Sequence, residues 1–64
     1  MKIKWKRINS KLWIAEGIGE VERDFDGWYF HASDEIMDFG PFKSEDDAKN
    51  FGREYSELLD RYLP

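Results

Sequence analysis

Sixty-four residues leave room for one domain and one modest core, and the absence of cysteine excludes disulfide staples and thiolate metal sites. Stability must come from packing, for which three Trp, three Tyr and five Phe supply the apolar area. The net charge of −4 hides a split: residues 1–11 carry Lys2, Lys4, Lys6, Arg7 and Lys11 without an acid, and the rest of the chain sums to −9. Such polarity steers encounter with partners and says little about the fold. The basic N-terminus is not followed by an apolar run, so it does not read as a secretory signal, and no stretch approaches a membrane span. The expectation is one cytoplasmic domain over residues 1–64, folding alone or as a homodimer.

In chain order, Ile3 and Trp5 alternate with Lys2, Lys4 and Lys6, the period-two pattern of a strand. Asn9-Ser10 reads as a tight turn, and Lys11 to Ala15 as a second strand that Gly17-Ile18-Gly19 bends or bulges. Val21 to Phe25 continues the pairing, Asp26-Gly27 is a hairpin signal, and Trp28 to Ala32 is the most β-prone run. Ser33-Asp34-Glu35 turns, Ile36 to Phe39 gives a last short strand, and Gly40-Pro41-Phe42 leads into a helix. Ser44 is its N-cap, with Glu45, Asp46 and Asp47 at the positive end of the helix dipole. Ala48, Phe51, Gly52, Tyr55, Leu58, Leu59 and Tyr62 recur at steps of three and four, one apolar face over about 44–62. Glu57 and Arg61 are spaced for an i, i+4 pair. Gly52 lies on the buried face, where it predicts close approach to a bulky ring of the sheet, a Trp by preference. The fold class is α+β: an antiparallel meander of three or four strands packed on one C-terminal helix.

The run Gly27-Trp28-Tyr29-Phe30, followed by Gly40-Pro41-Phe42-Lys43-Ser44-Glu45-Asp46-Asp47-Ala48, resembles AP2-type plant DNA-binding domains and the arm-binding domains of tyrosine recombinases. Those are three-stranded sheets backed by a helix, with the sheet laid in a DNA groove. The resemblance covers under half the chain and consists mostly of packing residues, so it implies the fold more than the activity. It also departs at the middle strands. Those families carry Arg and Lys there, whereas this chain has Glu16, Glu20, Glu22, Asp24 and Asp26. The compact acidic character is similar to that of small phage or prophage accessory proteins.

No catalytic constellation is legible. One histidine, His31, sits in an aromatic strand, and Gly17-Ile18-Gly19 lacks the third glycine of a dinucleotide loop. Asp24-Phe25-Asp26-Gly27 lacks the remaining ligands of a calcium loop and reads as a hairpin tip. Asp34, Glu35 and Asp38 read as solvated loop acids. No metal, cofactor or enzymatic activity is expected.

The aromatic surplus points to binding. If Ile3, Trp5, Leu12 and Ile14 face the helix, then Lys2, Lys4, Lys6 and Trp13 face away, joined by Trp28 and Phe30 or by Tyr29 and His31. The first expectation is therefore a module that engages a protein partner, or its own copy, through Trp13, Trp28, Tyr29 and Phe30, with Lys4 and Lys6 steering. The alternative is nucleic-acid binding through Lys2, Lys4, Lys6, Arg7 and Lys11. A third is an acidic helix that imitates DNA phosphates. Against the first two stands a sheet whose open face is covered by flanking segments such as 34–42, and against the third a helix whose acids form an ordinary solvated face.

Overall fold

The computed structural model describes residues 3–33 and 38–62. Five strands, β1 (Lys6–Asn9), β2 (Leu12–Ala15), β3 (Gly19–Asp24), β4 (Gly27–Ala32) and β5 (Asp38–Phe42), precede one helix, α1 (Glu45–Tyr62). All neighbouring strands are antiparallel, and their order in the sheet is their order in the chain. The α+β meander on a C-terminal helix is thus as the sequence predicts, with one strand more than its upper count. Lys2, Asp34, Glu35, Ile36 and Met37 lie outside the described residues, as do the side chains of Leu59, Asp60 and Tyr62.

Short turns make the meander. Asn9 supplies what a glycine otherwise would, its Oδ1 accepting the Lys11 amide at 2.8 Å across the β1–β2 turn. Gly17 (φ 79°) adopts the left-handed conformation between β2 and β3, where the Ile18 amide donates to the Ala15 carbonyl at 3.0 Å. The Gly17-Ile18-Gly19 stretch therefore ends one strand and begins the next rather than bending one. At the third turn Asp24 pairs with Gly27, leaving Phe25 and Asp26 at the tip, so Phe25 is a turn residue and not part of the strand. The last strand runs on to Phe42 instead of stopping at Phe39, and it lies at the sheet edge, where Pro41, with no amide to donate, is tolerated. The first strand begins at Lys6 rather than Lys2, because Trp5 leaves the sheet to pack against the core under the helix.

Register decides the faces. Trp13 pairs with Val21, Val21 with Phe30 and Phe30 with Phe39, a row across four strands on the helix side. Val21 and Phe30 are fully buried, together with Ala48 of the helix. Phe30 is ringed by Phe39, Phe51 and Tyr55, with ring centroids 6.3, 5.8 and 5.7 Å away. The helix presents small residues to this row: Ala48, Gly52 and Ser56, spaced four apart, are all buried. A Cβ on Gly52 would lie 2.8 Å from Phe30 Cε1 and 3.2 Å from Trp5 Cη2. The close approach predicted for Gly52 is present, with Phe30 as its first partner and Trp5 as its second. That helix rotation leaves Leu58 half outside, 49% exposed, although its spacing puts it on the apolar face. The expected Ser44 cap is present, the Asp47 amide donating to Ser44 Oγ at 3.1 Å. Glu57 pairs with Arg53 (3.7 Å), a turn before Arg61, and Glu45 with Lys49 (3.9 Å).

Candidate functional site

The helix crosses β3, β4 and β5 only; toward β2, Lys49 reaches over the Trp13 ring with Nζ 3.3 Å from its centre. This arrangement corrects the expected aromatic open face. Phe30 is in the core, Trp13 and Trp28 are half-buried on the helix side, and Tyr29 is the one ring of the proposed four that faces away from the helix. Leu12 and Ile14 exchange places with Trp13: they share the open face with Glu22 and Glu20, their cross-strand partners. The cause is the Val21–Phe30 row, which draws the larger ring of the all-apolar run Leu12-Trp13-Ile14-Ala15 to the core side. Segment 38–42 does not cover the open face either, because Phe39 and Phe42 pack into the helix-side core.

The open face has two halves of different chemistry. Over β3–β5 it is acidic: Glu20, Glu22 and Asp24 alternate along β3 with Val21 and Arg23, and Asp38 pairs with His31. His31 sits between carboxylates, Nδ1 2.5 Å from Asp38 Oδ1 and Nε2 3.2 Å from Glu22 Oε1, with Tyr29 stacked beside it (6.4 Å, 14°). Neutral imidazole has one N–H, so only the protonated ring donates at both nitrogens. Partial burial works against that charge, but the bond and charge of Asp38, followed by those of Glu22, outweigh it and hold the ring above the ordinary histidine value. The Tyr29 hydroxyl donates to Asp26 (2.7 Å), and chiefly that bond keeps the phenol above its usual range. These groups form an ion-paired network among themselves. Among the described residues, no three His, Asp or Glu side chains are grouped to hold a metal ion.

Over β1–β2 the face is aliphatic and basic. Ile3, Ile8, Ile14 and Ile18, with Lys4, Lys6 and Glu16, line an open groove of about 900 Å³ around the β2–β3 turn. Every residue of β1 is exposed, including Ile8 at 48%, the extra residue where the β1–β2 register shifts between Arg7 and Asn9. Lys4, Lys6, Arg7 and Lys11 are all exposed, but Lys6, opposite Ile14, and Arg7, opposite Trp13, point to different faces of the sheet, and Lys2 lies outside the described residues. A charged, bulged edge strand resists pairing with another strand, so this edge offers side chains rather than backbone. The helix carries acids, but Glu45 and Glu57 are paired with bases of their own helix, which makes its surface mixed rather than phosphate-like.

Two features escaped the sequence reading. The groove arises from isoleucines at irregular spacing in residues 3–18, brought together by the first hairpins. Phe25 is 96% exposed at the β3–β4 tip, legible in hindsight from its place inside Asp24-Phe25-Asp26-Gly27. No helix among the described residues is long and apolar enough to cross a membrane. No protein-family model, curated protein or solved structure matches the chain. What is present of the expected resemblance is the coarse arrangement, an antiparallel sheet packed on one C-terminal helix, and no match supports the specific likeness to AP2-type or recombinase arm-binding domains.

Proposed function

We propose that this chain is a non-catalytic binding module whose contact surface is the isoleucine groove and basic rim beside β1, and that it takes a protein segment presenting an apolar side chain flanked by carboxylates. The observation that carries this reading is the groove itself. Ile3, Ile8, Ile14 and Ile18 line it beside Lys4, Lys6 and Glu16, with Ile18 also packing against the helix-side core. An apolar anchor in such a groove supplies affinity, and the lysines select and steer acidic flanks.

Selection of peptides from a random displayed library against the purified protein tests this. The enriched peptides should share an aliphatic or aromatic residue next to Asp or Glu, and Ile14→Asp or Lys4→Glu with Lys6→Glu should abolish their binding. Peptides that lack acids, or that bind the variants unchanged, would overturn the reading.

A second reading is favoured by Lys4, Lys6, Arg7 and Lys11 all being exposed: nucleic acid held by its phosphates. It predicts an affinity for short single- or double-stranded oligonucleotides that falls steeply with added salt, whereas a groove-anchored peptide loses little.

A further inference from the structure

The chain carries both a groove and a side chain of the kind that groove would accept. Phe25 projects from the β3–β4 tip, 96% exposed, between Asp24 and Asp26. The tip is held in shape by two local bonds. Asp24 Oδ1 accepts the Phe25 amide at 2.8 Å, and Asp26 Oδ2 accepts the Tyr29 hydroxyl at 2.7 Å. Both carboxylates are themselves exposed, so they flank the ring with negative charge. This is an apolar knob between two acids on a preorganised hairpin, and preorganisation lowers the entropy lost on docking. The groove offers the matching surface, isoleucine-lined, with Lys4 and Lys6 outnumbering the one acid, Glu16, at its rim.

Knob and groove cannot meet within one copy. The groove gathers around the β2–β3 turn, and the tip lies at the other end of β3, a six-residue strand and so roughly 20 Å away. They can meet between copies. We propose that the occupant of the groove is the Phe25 tip of a second copy of this chain. This deepens the groove reading above and rests on it.

The contact is heterologous, tip into groove, and leaves one tip and one groove unfilled at the ends of each assembly. A closed face-to-face pair would bring the Glu20, Glu22 and Asp38 regions of the two sheets together, which like charge disfavours. End-to-end addition instead sets Asp24 and Asp26 of one copy beside Lys4 and Lys6 of the next.

Sedimentation equilibrium of the whole protein provides the test, with two variants altered only at exposed positions. Phe25→Ser removes the tip and keeps the groove; Lys4→Glu with Lys6→Glu reverses the groove and keeps the tip. In low salt the wild type should at least about double in weight-average mass between roughly 10 μM and 1 mM, the range of a contact below standard interface size. Each variant alone should stay monomeric with an unchanged circular dichroism spectrum. Mixed, they should form a complex that stops at one copy of each, since one supplies the groove and the other the tip.

A wild type that remains monomeric throughout while its groove still takes selected acidic peptides overturns the second-copy assignment and leaves the groove reading standing. Self-association that survives Phe25→Ser overturns the assignment of the tip. Failure of the mixed variants to pair, when the wild type associates, overturns the tip-into-groove geometry.

Discussion

Gly52→Ala is the substitution for which helix propensity and packing give opposite signs. In an exposed helix interior, alanine stabilises by about 1 kcal/mol relative to glycine. Here the new methyl would sit 2.8 Å from Phe30 Cε1, 3.0 Å from Phe30 Cδ1 and 3.2 Å from Trp5 Cη2. Carbon atoms in comfortable contact lie about 3.5–4.0 Å apart, so the ring or the helix has to move by several tenths of an ångström. Phe30 has nowhere to go, being fully buried among Phe39, Phe51 and Tyr55. Overpacking of this kind costs about 1–3 kcal/mol, which outweighs the propensity gain and leaves Gly52→Ala about 1 kcal/mol less stable. Gly52→Leu, with three more carbons to place, should lose well over 3 kcal/mol, a large part of the total stability of so small a domain. Urea unfolding followed by tryptophan fluorescence and far-ultraviolet circular dichroism measures both. The same alanine in a Phe30→Leu background isolates the contact, because the smaller side chain admits the methyl and the alanine should become neutral or stabilising. If Gly52→Ala raised stability by about 1 kcal/mol in the wild-type background, the helix would not be seated on Phe30 as described.

His31 is the chain's one histidine, so its ring proton resonances titrate without overlap. Its folded-state value is raised above the unfolded one, so the stability it contributes is fully present below the ordinary histidine pKa and is lost as pH rises through the raised value. Urea midpoints should therefore fall over that window, and Asp38→Asn should shift the titration down and flatten the fall; an unshifted resonance would refute the paired geometry. Ser44→Ala removes the oxygen that accepts the Asp47 amide and should cost about 1 kcal/mol by urea unfolding, with Ser44→Asp retaining most of it. Lys49→Ala takes the ammonium off the Trp13 ring and should cost about 0.5–1 kcal/mol and raise acrylamide quenching of the fluorescence, whereas Lys43→Ala should do neither.

The helix was legible because its signals agree. The Ser44 cap, the acids of its first turn and the apolar spacing mark one element, and Gly52 announced its own close contact. The turns were legible where the chemistry was local, as at Asn9 and at Asp26-Gly27. The face of β2 was not, since Leu12-Trp13-Ile14-Ala15 is apolar at every position and has no alternation to read. Only its neighbours Val21 and Phe30, set by a register no single strand encodes, draw Trp13 inward. The acidic half of the open face did carry a signal in Glu20, Glu22 and Asp24 at steps of two. The His31–Asp38 pair, by contrast, depends on how β5 docks on β4. The groove is closer at hand in the chain, within residues 3–18, but Ile3, Ile8, Ile14 and Ile18 come together only once the first two hairpins have formed.

Trp5 lies beneath Gly52, a residue from near the start of the chain against one from near its end. Every strand pairs with a neighbour in sequence, so the sheet can zip hairpin by hairpin while the chain is still being synthesised. The helix seat cannot be completed that way, because residues around Gly52 have to emerge before Trp5 finds its place. A chain lacking the helix would thus hold the helix-side surfaces of Trp5, Trp13 and Phe30 uncovered.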